Sequence, residues 1–134
     1  MICDMPRRNP GRERPQRRKE LFHVDAFRCV GCRLDVPMLA PGTAHRNHCP
    51  NCLTSLHVDH RIPGDRRAEC RGRMAALSVS VRGDGEWLII HCCQSCGGLS
   101  ANRIAGDDNA LALLRIAIRP LSDTRLPVSA LMAL

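Results

Sequence analysis

The sequence predicts a small α+β domain whose shape is set by bound metal rather than by a large core. Two observations carry that prediction. Cys29-Val30-Gly31-Cys32 is followed, sixteen residues on, by Cys49-Pro50-Asn51-Cys52, and two cysteine pairs so spaced can bring four thiolates to one tetrahedral ion. The 134-residue chain also holds nine cysteines but only two Phe, one Trp and no Tyr, so the rings that usually supply much of a core's buried area are nearly absent. Structural zinc fills that gap, since it contributes roughly 10–16 kcal/mol of apparent folding free energy in small peptides. The expected architecture is a zinc-stabilised pair of zinc-ribbon- or knuckle-like units with a β-hairpin and a C-terminal helix.

Nine cysteines would also suit a disulfide framework. The chain opens Met-Ile-Cys-Asp-Met-Pro and runs on into arginines, without the apolar stretch of a secretory leader, which favours reduced thiols and a cytoplasmic setting. No run reaches the ~18 apolar residues of a membrane span, so no membrane partner is expected. The formal charge is +7, and every basic residue but Lys19 is an arginine. One four-thiolate site and one site of three thiolates and an imidazole would lower that charge to about +4.

Residues 1–25 form a basic arm with Arg7, Arg8, Arg12, Arg14, Arg17, Arg18 and Lys19, too polar to bury surface against chain entropy and expected to be disordered. Residues 26–119 are the expected double-knuckle domain. Pro37 and Pro41-Gly42 supply turns between the first two knuckles, and residues 53–58 have the composition of a strand. Arg61, Arg66 and Arg67 lie in a turn-rich basic loop. In residues 77–91, Leu77, Val79 and Val81 alternate with polar neighbours, Gly83-Asp84-Gly85 makes a turn, and Trp87-Leu88-Ile89-Ile90 returns, which reads as a β-hairpin with Trp87 covering the small core. Asp107 or Asp108 offers an N-cap to a helix over 109–118, with Leu111, Leu114 and Ile118 on its packing face and Pro120 as its stop. Residues 120–134 are a tail.

A second metal cluster is expected from Cys70, Cys93 and Cys96, which flank the hairpin and could clamp its open ends. A closed site needs a fourth ligand. His91 is preferred, because residues 91 and 93 of one strand point to the same side; Cys92 stands second, with His57 and His60 more remote.

At His45-Arg46-Asn47-His48-Cys49-Pro50-Asn51-Cys52 the chain resembles the RNHCP domain family, named for its Arg-Asn-His-Cys-Pro motif. Phe27-Arg28-Cys29, Gly42-Thr43-Ala44, His57-Val58-Asp59, Pro63-Gly64-Asp65-Arg66, Cys70, His91 with Cys93 and Cys96, Asn102-Arg103 and Asp107-Asp108-Asn109 extend the resemblance over roughly residues 26–119. It implies a zinc-binding domain. Cys92 departs from it, standing where a basic residue would be expected, so the choice between His91 and Cys92 stays open.

The Arg-Asn-His stretch has two readings. Asn47 can satisfy turn backbone, His48 can back a metal thiolate and Arg46 can neutralise the site; alternatively His45, Arg46 and Asn47 present donors to a phosphate or base edge. The function expected is a module that binds structured RNA, ribosomal or transfer, through Arg46, Asn47, Arg61, Arg66 and Arg67, with salt-sensitive affinity. Few rings argue against a base-stacking array. The alternative is a protein-interaction or assembly scaffold. No His-x-Glu precedes a Pro-Cys-x-x-Cys element and no other catalytic constellation is present, so an enzyme is not expected.

Overall fold

A computed structural model describes residues 25–62 and 64–119. The expected tail, and all of the expected arm except Asp25, lie outside the described residues. In chain order the elements are β1 (Ala26–Arg28), β2 (Asp35–Pro37), β3 (Ser55–Leu56), β4 (Arg73–Val81), β5 (Trp87–Cys93), β6 (Leu99–Arg103) and α1 (Ala110–Ile118). β1 and β2 form an antiparallel ribbon around the first knuckle, and β3-β4-β5-β6 form an antiparallel sheet in that order. The result is a small α+β fold with one helix among the described residues, and no helix there is long and apolar enough to cross a membrane.

The expected hairpin is β4–β5, closed by the Arg82 N–H donating to the Glu86 carbonyl at 2.8 Å and bulged between Ala76 and Ser78. The expected strand over 53–58 shrinks to β3. The short ribbon strands and β6 carry too few alternating apolar residues to announce themselves, and pairing supplies what periodicity does not.

Two small apolar centres result. Cys29, Val36 and Cys49, with Phe27 and Cys52 against them, make one; Leu53, Ile89 and Ile116, with Ala76, Val79, Ile104, Ala112 and Leu113, make the other. Leu53 is buried at φ 62°. Its apolar burial holds a β-carbon-bearing residue in a region such residues seldom enter, a conformation costing about 1–3 kcal/mol.

Two details of the expected core are corrected. Trp87 does not cover it: it sits opposite Val81 beside the hairpin turn and is 57% exposed. The helix buries Ile116 and half-buries Ala112 and Leu113, leaving Leu111, Leu114 and Ile118 outward. Every α1 residue except Arg115 is apolar, so periodicity could not choose a face. Its cap is Asn109, whose side chain accepts from the Leu111 and Ala112 N–H groups. Asp107 and Asp108 are engaged elsewhere.

Candidate metal centres

Three Cys-x-x-Cys knuckles share one backbone design. The leading cysteine donates its N–H five residues on, from Cys29 to Leu34 O, Cys49 to Thr54 O and Cys93 to Gly98 O, at 2.8–3.0 Å. The N–H four residues on returns to its carbonyl, from Arg33, Leu53 and Gly97. Those three residues all have positive φ, at 68°, 62° and 73°, so the chain curls back over its own sulfur. At the first knuckle the Gly31 and Cys32 N–H groups point at Cys29 Sγ, 3.2 and 3.4 Å away. A β-carbon on Gly31 would lie 2.7 Å from Thr54 Oγ1, so glycine is needed there.

Cys29, Cys32, Cys49 and Cys52 converge with their sulfurs within 4.8 Å of one another, as expected. The Cys29–Cys52 and Cys32–Cys49 sulfurs are 3.5 and 3.6 Å apart. With metal–sulfur bonds of about 2.3 Å, a tetrahedron has edges of about 3.8 Å, so the donor set fits a four-coordinate ion. The thiols alone are in conflict. The Asn51 side chain, with help from neighbouring hydrogen bonds, pulls Cys32 down to about 6, while burial pushes Cys49 up to about 12. Crowded sulfurs resist ionising together, and a cation removes that resistance.

The second cluster is His57, Cys70, Cys93 and Cys96. Cys70 and Cys93 sulfurs are 3.6 Å apart, and His57 Nδ1 lies 3.2 Å from Cys96 Sγ. For Cys93 burial works against ionisation, but the Cys96 and Ser95 N–H groups outweigh it and bring the thiol down to about 6. The cluster stands at the open end of the hairpin, just before β4 and at the last residue of β5, and so clamps it. Gly72 permits this: a β-carbon there would meet Cys93 Sγ at 2.6 Å.

His91 is therefore corrected as the fourth ligand. Its Nε2–H donates to the Leu53 carbonyl at 2.7 Å, and its Nδ1 accepts from Asn102 Nδ2 at 3.0 Å. Those partners require the neutral tautomer, and burial, the dominant cause, holds the ring down to about 4. His91 and Cys93, two apart on β5, meet different neighbours: the ring is fully buried against the Leu53 carbonyl, and the sulfur turns with the knuckle. Cys92 is half-buried outside the cluster, its thiol raised by burial. The fourth donor is His57, ranked from the sequence behind His91 and Cys92 because it lies thirteen positions before Cys70 in the chain. β3–β4 pairing brings it in, with His57 N–H bonded to Gly72 O at 2.8 Å and Arg71 N–H to His57 O at 3.1 Å.

The two histidines make separable predictions. His57→Ala is expected to lower the metal bound per chain from two ions toward one after exhaustive dialysis. His91→Gln is expected to keep two ions but lose about 1–3 kcal/mol of stability, the cost of disturbing a buried hydrogen-bonded group. Metal analysis beside denaturant titration checks both; loss of an ion in His91→Gln alone would reverse the assignment.

The Arg-Asn-His-Cys-Pro stretch is an internal fastener. Arg46 Nη2 holds both oxygens of Asp107 at 2.5 and 2.6 Å, and His48 Nε2 meets Asp108 Oδ2 at 2.8 Å. Pro50 O accepts the Asn109 N–H at 2.8 Å. Asn47 Nδ2 donates to Asp59 Oδ2 at 2.6 Å and to Asn102 Oδ1 at 3.3 Å. Arg46 is thus corrected as a surface phosphate contact, since its side chain is 0% exposed and spent on an ion pair. The Asn47 amide N–H donors are spent too, while its buried Oδ1 has no partner among the described residues. Arg61, Arg66 and Arg67 are exposed.

A small α+β module closed by two four-donor clusters, each able to hold a metal ion, is the class that this fold and these sites define. The chain belongs to the RNHCP domain family, whose model matches residues 24–114. No curated protein and no solved structure matches it.

Proposed function

We propose that this chain is a structural-zinc module that binds structured RNA, with both ions holding shape and arginines making the contact. Zinc is supported by the donor chemistry: four sulfurs in one set, and three sulfurs with one imidazole in the other, are tetrahedral zinc sets with no position left open. A closed set also supports a non-catalytic role.

One observation carries the RNA reading. In residues 59–73 Asp59 and Asp65 turn their carboxylates onto the loop's own groups, which leaves Glu69 as the one exposed acid among five exposed arginines. Asp65 accepts backbone N–H groups from His60, Arg61, Ile62 and Arg67, the His60 bond being the largest cause that holds its carboxyl well below the usual range. Asp59 accepts from Asn47, Gly64 and Arg66. Arg61, Arg66, Arg67, Arg71 and Arg73 are exposed around them. The described residues hold twelve arginines against nine acids, an excess that two zinc-loaded thiolate clusters would cancel. Placement of charge, more than its sum, supports the reading.

The triple substitution Arg61→Ala, Arg66→Ala, Arg67→Ala is expected to weaken RNA binding without changing metal content. The slope of log affinity against log salt should fall by roughly one for each phosphate left without its arginine. An unchanged slope overturns this surface as the contact.

A second reading, a protein-interaction scaffold, is favoured by the outward Leu111, Leu114 and Ile118 of α1. Capture of a protein partner independent of salt, and lost with Leu114→Glu, would favour it.

A further inference from the structure

Two clefts adjoin on the side of the sheet that carries Asn102. One, about 380 Å³, is bordered by His60, Arg61, Met74 and Leu99; the other, about 340 Å³, by His45, Leu88 and Arg103. Both are lined by Asn47, Arg82, Ala101 and Asn102, so they meet over the amides that tie the Arg-Asn-His stretch to β6. Each is at the small end of ligand sites, which run about 300–1,000 Å³, and so suits one nucleoside rather than a longer stretch.

The positions of the arginines match that division. Arg61 borders one compartment, Arg103 the other, and Arg82 both. They come from a loop, a strand and a turn, so the spacing is set by tertiary structure and is no solvated run along one element. Carboxylates are near but engaged: Asp59 holds Asn47 and the Gly64 N–H, and Glu86 bridges Arg82 at 3.0 Å and Arg103 at 2.5 Å. Each of those two arginines keeps further donors for a phosphate, since a guanidinium carries five. His45 and His60 supply flat rings, and Leu88 and Leu99 apolar surface, in a protein with few aromatics. RNA recognition commonly takes unpaired nucleotides splayed from loops and bulges, with bases against His or Arg planes.

We infer that this double cleft binds two consecutive unpaired nucleotides of an RNA, one in each compartment, with the phosphate between them at Arg82. The inference rests on the RNA reading above and narrows it to a site and a substrate form. Arg82→Ala removes only a surface ion pair, a small loss of stability.

The test uses the metal-loaded full chain and two RNA hairpins, one with a two-nucleotide bulge and one fully paired in its stem with a tight closed loop. The expected result is roughly tenfold tighter binding of the bulged hairpin, equivalent to 1.4 kcal/mol. Arg82→Ala should erase that preference, while Arg115→Ala, on α1, should leave it intact. Amide NMR shifts on adding the bulged hairpin should centre on Ala101, Asn102 and Arg82. If the chain binds both hairpins equally, or if Arg82→Ala keeps the preference, the double cleft is overturned while RNA binding stands. If it binds neither, RNA binding itself is overturned. Polyglutamate displacing the bulged hairpin with the same shifts would overturn the assignment to nucleotides in favour of an acidic peptide.

Discussion

Removing both metal ions with a chelator at neutral pH is expected to unfold the whole described domain. Loss of strand signal in far-ultraviolet circular dichroism and of amide protection should coincide. The reason is the poverty of the two apolar centres. One is built from the ligands Cys29 and Cys49 around Val36, so without an ion little remains there to pack. The other rests on Leu53, Ile89 and Ile116. Burying such side chains contributes about 1.5–3 kcal/mol each, while ordering a domain of this size costs on the order of 100 kcal/mol. Net stabilities run about 5–15 kcal/mol, and a structural zinc site alone contributes roughly 10–16 kcal/mol. Two such sites exceed the margin. The second cluster should empty first, because Cys70 and Cys96 are exposed whereas Cys29 and Cys49 are buried. Trp87 will report the transition poorly, being already largely in solvent. A metal-free chain that keeps its protected amides would refute this account.

The sequence disclosed what is local and hid what is distant. Cys29 to Cys32, Cys49 to Cys52 and Cys93 to Cys96 are each set by their own four residues, and the β4–β5 turn by Gly83-Asp84-Gly85, so both were legible. The fourth donor of the second cluster was not, because His57 reaches Cys70 only through a two-residue strand whose pairing no periodicity announces. The choice of helix face failed for a different reason: in an almost wholly apolar segment, the packing of α1 on β4 decides, and that packing is tertiary. The Arg-Asn-His stretch was legible as a motif but ambiguous in role. Its partners Asp107 and Asp108 are about sixty positions away, where they read as capping residues. Claimed by Arg46 and His48, they leave Asn109 to cap the helix, so a helix start and a metal knuckle are fixed by one set of contacts.

Removing Asp107 is expected to harm the fold more than removing Arg46, although the two form one ion pair. The asymmetry follows from burial: the Arg46 side chain is 0% exposed and that of Asp107 is 45% exposed. Arg46→Met leaves a carboxylate that water can reach, and the methionine stem fills much of the space. The cost should be about 1.5–3 kcal/mol, as for a hydrogen bond to a charged group. Asp107→Ala leaves a guanidinium enclosed without its counter-ion, and Arg46 Nε and Nη1 already lack partners. A buried charge so orphaned costs about 3–5 kcal/mol, which in a domain of about ninety residues lowers Tm by more than 10 °C. The double variant should then be less damaged than the sum of the two, and close to Arg46→Met alone, because no orphaned charge remains. Denaturant unfolding of the four proteins in zinc-buffered solution measures the cycle. Equal losses in the two single variants, or strict additivity in the double, would mean that Arg46 does not depend on Asp107. The link from the first metal knuckle to the start of α1 would then rest on His48, Pro50 and Asn109.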